Sequence, residues 1–321
     1  VPFRSVAFGN GKYVAVGLVN VCLTSTDGIT WDQASSTGAE LWGLTFGQGL
    51  FVGVGERGAV LTSPDGLVWT SQNSGVASTL YDVAFANGLF VAVGDRDALI
   101  AGSAPATLTS PDAITWTPVT WDPVSNPAPT AVLRGISFLK DQFVAVGFNG
   151  QVRNSRDGKS WTARTAKANA ALKKVIHVNE VPGVPEGIYI VSGHTGLIMT
   201  SPDLGVWQQV PSGTLNDLNA LATDGHSAVV AGLWGTILQS GFTGVPVTPT
   251  APLIETITIK AAGEVEIRFS SRSGRTYRLQ ASPNLSMWQS VASVNGSGSL
   301  QAMTETLAPN FSARFYRLLV E

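Results

Sequence analysis

An all-β architecture of repeated four-stranded sheets is predicted by three observations: a turn phrase that recurs, an alternating apolar segment that recurs with it, and a composition rich in turn residues and poor in charge. The phrase is STDGITW (Ser25–Trp31), SPDGLVW (Ser63–Trp69), SPDAITW (Ser110–Trp116), SRDGKSW (Ser155–Trp161) and SPDLGVW (Ser201–Trp207), with its tryptophans 38, 47, 45 and 46 residues apart. Ahead of each copy stands an apolar segment ending in Gly: YVAVG, LFVGVG, LFVAVG, QFVAVG, IYIVSG, and a sixth, SAVVAG (Ser227–Gly232), that has no phrase after it. Charged residues are 13% of the 321 and glycines number 35, where a soluble domain usually carries about 25% charge. Such a chain is made of strands and turns.

Each unit yields four strands in order. The first is the SVAF, GLTF, DVAF, GISF, KVIHV or ALAT segment, joined to the VAVG-type strand by turns such as Gly9-Asn10-Gly11 or Asn87-Gly88, a hairpin signal. The third strand, xVLTS, runs into the phrase, and the fourth begins at its Trp. Four short strands recurring every 40–50 residues or so are the pattern of a propeller blade. A lone four-stranded sheet leaves both apolar faces wet, so blades stacked in a ring are the expected solution.

The repeated phrase resembles the Asp box, or BNR repeat, found on the propellers of sialidases, xyloglucanases, sortilin-type receptors and photosystem II assembly factors. Six copies of the unit predict a six-bladed β-propeller, seven-bladed if the C-terminal segment is a degenerate extra blade, and the resemblance places the phrase in the turn between third and fourth strands, on the rim away from any active site. In such a turn Asp accepts backbone N–H bonds, Gly supplies positive φ and Trp packs the blade edge. Asp27, Asp65, Asp112, Asp157 and Asp203 are therefore expected to fasten the blades and not to catalyse.

The domain division follows from composition. Residues 1–243 form the propeller, 244–253 a Pro/Thr-rich linker (GVPVTPTAPL spans it), and 254–321 a β-sandwich, with a degenerate extra blade as the alternative. The pairing of TYRLQASPNLSMW (Thr276–Trp288) with a terminal RFYRLLV resembles a small sandwich appended to exported proteins of Verrucomicrobia-like bacteria. The sequons at Asn284, Asn295 and Asn310 matter only in a glycosylating host.

Net charge of −2 and the lack of a Lys/Arg block argue against nucleic acid as a partner. No apolar run is long enough to span a bilayer as a helix. One cysteine, Cys22, allows no internal disulfide and is expected to pack in a strand. His177 and His226 fall on other elements than His194, so no three-ligand zinc site is expected, and no cofactor is implied. The expected location is extracellular or periplasmic, with any leader absent from this chain.

Function is sought where the repeats differ. Entering the first strand, the units place Arg4, Trp42, Tyr81, Arg134, Lys173 and Asn219; after the second-strand Gly they place Asn20, Glu56-Arg57, Asp95-Arg96-Asp97, Asn149, His194 and Trp234. Equivalent positions that scaffold tend to be alike, and these are dissimilar, polar, charged or aromatic. Aromatic faces beside convergent polar groups suit a carbohydrate. The expectation is an exported carbohydrate-active propeller, a glycosidase acting on a small galactoside, uronide or sialoside, with Glu56, Asp95, Asp97 and Tyr81 as catalytic candidates. Asp82, Glu40 and Asp122 stand behind them, and the insertions Asp95–Leu108 and Thr117–Leu133 are expected to wall the funnel. The remaining residues named above, including the arginines, are expected to bind substrate. The alternative is a non-enzymatic glycan- or polypeptide-binding propeller, because the VGxxGxxxxSxDGxxW pattern resembles the photosystem II assembly-factor group equally well.

Overall fold

The computed structural model describes residues 3–34, 36–96, 104–179, 181, 184–240, 254–260, 263–271, 273–282, 288–307 and 315–320. Within them the first 240 residues make six antiparallel sheets. Five have four strands in sequence order and the sixth has three. The innermost strands are Phe3–Gly9, Leu41–Gly47, Leu80–Ala86, Leu133–Leu139, Leu172–Val178 and Leu218–Thr223, and these define blades 1 to 6 of a β-propeller. Consecutive innermost strands pack on one another from blade 1 through blade 6. Val at alternating positions of the second strands fills the junctions, as in the cluster of Val52, Val54, Val60, Leu80 and Val83 between blades 2 and 3.

The register repeats closely. Phe3, Leu41, Leu80, Leu133, Leu172 and Leu218 pair with the Gly that closes the apolar run of the neighbouring strand: Gly17, Gly55, Gly94, Gly147, Gly193 and Gly232. In every blade the register shifts directly after that pair, so one residue is left over in a bulge.

The recurring Ser-x-Asp turns behave as fasteners. Asp27 Oδ1 accepts the N–H of Ile29 and of Thr30 at 2.8 Å, Ser25 Oγ caps Gly28 N–H, and Trp31 Nε1 donates to Gly28 O. The Asp bonds recur at Asp65, Asp112, Asp157 and Asp203. Backbone N–H donation, led by Ile29 and Thr115 respectively, holds the Asp27 and Asp112 carboxyls down at about 2. Cys22 is buried between blades 1 and 2, and burial raises its thiol to about 11, which suits packing and not chemistry.

The C-terminal strands form two three-stranded sheets. Glu264–Ser270 lies between Ile254–Ile259 and Leu300–Thr306, and Thr276–Ser282 lies between Gln289–Asn295 and Phe315–Val320. Val265, Ile267 and Phe269 of the first sheet share a core with Tyr277, Leu279 and Leu318 of the second.

One expectation is not met. Ring closure would pack blade 6 on blade 1, yet no contact like that between the other consecutive blades joins their innermost strands. The six blades form an open arc.

Candidate functional site

The bulge explains how six dissimilar residues come to face one hub. The residue left over in each blade is Arg4, Trp42, Tyr81, Arg134, Lys173 or Asn219, and a bulge re-aims its side chain out of the plain alternation of the strand. The second set of positions sits in a tight hairpin between second and third strands in every blade but the third, where Asp95 and Arg96 prolong the second strand. Arg57, Asn149, Thr195 and Trp234 have φ between 52° and 57°, each is followed by a Gly with φ of 64° to 73°, and Ala59 N–H closes back on Glu56 O at 2.9 Å. Two consecutive left-handed residues and that bond make a type I′ turn, whose second site favours Gly. A Cβ on Gly58 would overlap Val76 O, and one on Gly196 would overlap Thr214 O.

The hub side chains form a continuous layer. The Arg4 guanidinium stacks 4.4 Å from the Trp42 ring centroid, and Trp42 meets Tyr81 edge to face at 5.5 Å. Arg134 lies over Tyr81 at 4.0 Å and near Phe148 and Trp42 at 5.2 and 6.0 Å, within cation–π range. Phe148 meets His194 at 6.3 Å. On blade 5, Lys173 Nζ donates to Asp217 Oδ2 at 3.0 Å and to Asn219 Oδ1 at 2.6 Å, both from blade 6. The layer thus runs across all six blades.

Its electrostatics shift two of the hub's titratable groups. Burial pushes the Tyr81 phenol up, with Arg134 opposing and Asp95 and Glu56 reinforcing the rise. A tyrosine nucleophile needs the opposite shift. Tyr81 Oη instead donates to Asp95 Oδ2 at 3.3 Å, while Asp95 Oδ1 accepts the Arg96 N–H at 2.7 Å. Burial first, and then Lys173, lower the His194 imidazole from its ordinary value, with Asp217 opposing. Two donors in the layer, Trp42 Nε1 and Arg134 Nε, are buried without a hydrogen-bond partner.

Several sequence candidates take structural roles. Asp82 is buried, accepts the Ile136 N–H at 3.0 Å and pairs with Lys174 at 2.7 Å, so it ties blades 3, 4 and 5 together. Glu40 accepts the N–H of Val19 in blade 1, and Asp217, at the same repeat position, accepts the N–H of Thr195 in blade 5. Both clip the neighbouring blade's hairpin. Asp122 accepts the N–H groups of Val124 and Ser125 in a turn of its own.

The insertion carrying Asp122 was expected to wall the funnel; instead it runs between blades 3 and 4. Asn126 bonds Lys159 O and the Trp161 N–H at the fastener end, the Arg153 guanidinium reaches Pro127 O and Ala128 O, and Arg96 meets Thr130 O at the hub end. Arg153 is buried in this junction, over Trp121 at 5.5 Å.

Glu56, Arg57, Asn149 and Trp234 are exposed hairpin residues, Trp234 at 87%. Trp234 makes no ring contact with Trp42 or Tyr81 and lies at the open end of the arc. Asn20 is a half-buried residue of the corresponding turn in blade 1. Asp97 lies outside the described residues. Sequence reasoning aligned the Phe148-Asn149-Gly150 turn with Glu56-Arg57-Gly58 but singled out Asn149 where Phe148 is the residue that joins the layer, and it missed Asp217.

No protein-family model matches the chain, and no curated protein matches it. Among solved structures it is similar to YCF48 bound to D1 peptide, with TM-score 0.54 and 18% identity over 74% of this chain and 76% of that one. It is also similar to the WD40 β-propeller domain of Doa1, with TM-score 0.51 and 11% identity over 97% and 95%. At such identities the likeness concerns fold, and the fold class is the β-propeller.

Proposed function

We propose that the chain is a non-enzymatic polypeptide-binding propeller whose hub layer receives an acidic, extended peptide. The reading rests above all on the Arg4–Trp42–Tyr81–Arg134 ladder and its two buried donors without partners. An unmet buried donor costs about 1–3 kcal/mol, so an acceptor-bearing ligand that parts the stacked rings and guanidinium groups to reach these donors recovers that energy on binding. Peptide carbonyls and carboxylates are acceptors, and guanidinium groups pair carboxylates bidentately. A solved propeller of similar fold carries a bound peptide, in keeping with this reading.

The glycosidase expectation fits the hub less well. Arg4 and Arg134 already cover the Trp42 and Tyr81 rings on which a sugar would stack, and Tyr81 is shifted away from nucleophilic use. The C-terminal sandwich is read as a separate domain carried by the propeller.

The test is fluorescence polarisation with a panel of acidic and neutralised 15-residue peptides. Binding of acidic peptides that weakens about 10–100-fold in Arg134→Gln, the loss of one charged hydrogen bond, supports the proposal. Unchanged affinity in Arg134→Gln and Arg4→Gln refutes it. So does turnover of chromogenic galactoside, glucuronide or sialoside that Glu56→Gln or Asp95→Asn abolishes.

A further inference from the structure

The register of the blades supplies an internal control for the two sheet faces at the ends of the arc. Val6 of blade 1 occupies the same position as Leu44, Val83, Ile136 and Val175 of blades 2 to 5, each placed two residues beyond the bulge. Those four are buried because the preceding blade covers them; Val6 is 58% exposed, and Phe8 beside it is exposed too. The other end mirrors this. Val229 of blade 6 corresponds to Val14, Val52, Val91, Val144 and Ile190, all buried under the following blade, yet it is 37% exposed. Ile237 corresponds to Cys22, Val60, Thr107, Val152 and Ile198 and is 68% exposed.

Both walls of one junction are thus written in the apolar code that every other junction buries. We infer that the arc is built to receive a further blade between blade 6 and blade 1: an antiparallel sheet of this chain's own type, apolar on both faces, closing the propeller.

The occupant must have two free apolar faces, because both walls are apolar and unpartnered among the described residues. That requirement disfavours a second copy of the chain. Every propeller blade here already has at least one face covered by a neighbour, so a second copy can cover one wall with a given sheet but cannot insert a sheet that satisfies both. Sheets packed face to face lie about 10 Å apart, so a single sheet that touches both walls holds them about 20 Å apart, the spacing of any two blades on either side of a third. Left open, each wall exposes apolar side chains of a kind that marks an interaction surface.

The proposal is tested on the full chain by placing a second copy of residues 41–79 directly before Phe3. Leu41 and Phe3 are equivalent in register, and 39 residues separate Leu41 from Leu80, so the copy enters in phase. Melting temperature, binding of the dye ANS and sedimentation are measured for the parent and extended chains, each with and without Val6→Glu and Val229→Glu. Support is a melting temperature raised by at least 5 °C and ANS fluorescence at least halved on extension, with both gains cancelled by either Glu variant, while the same variants leave the parent's melting temperature unchanged.

An extended chain with no shift in either readout overturns the inference. A parent strongly destabilised by Val6→Glu also overturns it, since blades 1 and 6 would then already cover each other. A parent that sediments as a dimer dissociated by Val229→Glu assigns the walls to a second copy and rejects the further blade.

Discussion

Asp82 separates a structural from a catalytic account of this propeller. Its carboxylate is buried, accepts one backbone N–H from blade 4 and one ammonium donor from blade 5, and lies where two inter-blade junctions meet. Asp82→Ala strands the Ile136 N–H, a loss of about 1–3 kcal/mol. Breaking a fully buried ion pair costs about 3–5 kcal/mol, but Lys174 is 28% exposed and regains water, which places the combined effect near 3 kcal/mol, at the low end. With a urea dependence of about 3 kcal/mol per molar for a unit of this size, the unfolding midpoint falls by about 1 M. A double-mutant cycle with Lys174→Met isolates the pair and is expected to give about 1–2 kcal/mol of coupling. A midpoint moved by less than about 0.2 M in Asp82→Ala, with a binding or catalytic activity lost all the same, refutes the structural account.

The fastener turns make acid stability a second readout. Asp27 and Asp112 of the fasteners, and Asp224 in the turn between the first and second strands of blade 6, are held at about 2 by backbone N–H donors, below their unfolded values, so their contribution is complete above about pH 4 and is lost as pH falls towards 2. The melting temperature is expected to drop over that window, and Asp27→Asn combined with Asp112→Asn to flatten the drop. His177 is lowered by burial and so is favoured neutral in the fold; the stabilisation is present above its unfolded value of about 6.5 and fades as pH falls below it. Register places His177 where blades 1 to 4 carry Phe8, Phe46, Phe85 and Phe138, so His177→Phe should reduce the pH dependence between 5 and 7 to the part that the likewise lowered His194 contributes, without loss of stability, read from denaturation midpoints. Gly58 and Gly75 both have positive φ, but only a Cβ at Gly58 meets backbone. Gly75→Ala is expected to cost about 1–2 kcal/mol and Gly58→Ala distinctly more, measured by urea unfolding.

The hub was partly legible. Arg4, Trp42, Tyr81, Arg134, Lys173 and Asn219 could be picked out because they vary at a position the repeat otherwise holds in phase, and the structure puts every one of them in the same bulge. The second set carries a different signal: Arg57, Asn149 and Trp234 precede a Gly because a type I′ turn demands one, and that turn by itself accounts for their exposure at the hairpin tip. The carboxylates Asp82, Glu40 and Asp122 were ranked by type alone, and type cannot show that each already has a backbone N–H to hold.

Strand order, blade repeat and fastener turns were decided by the sequence itself, because alternation of side chains and Asx-type turns are set by residues within a few positions of one another. Tertiary structure alone decided which arginine covers which ring, which carboxylates serve as clips, and that the junction between blade 6 and blade 1 stands open. Those outcomes depend on groups from different blades meeting in space, and a stretch such as SVAF reads the same whether or not another sheet lies against it.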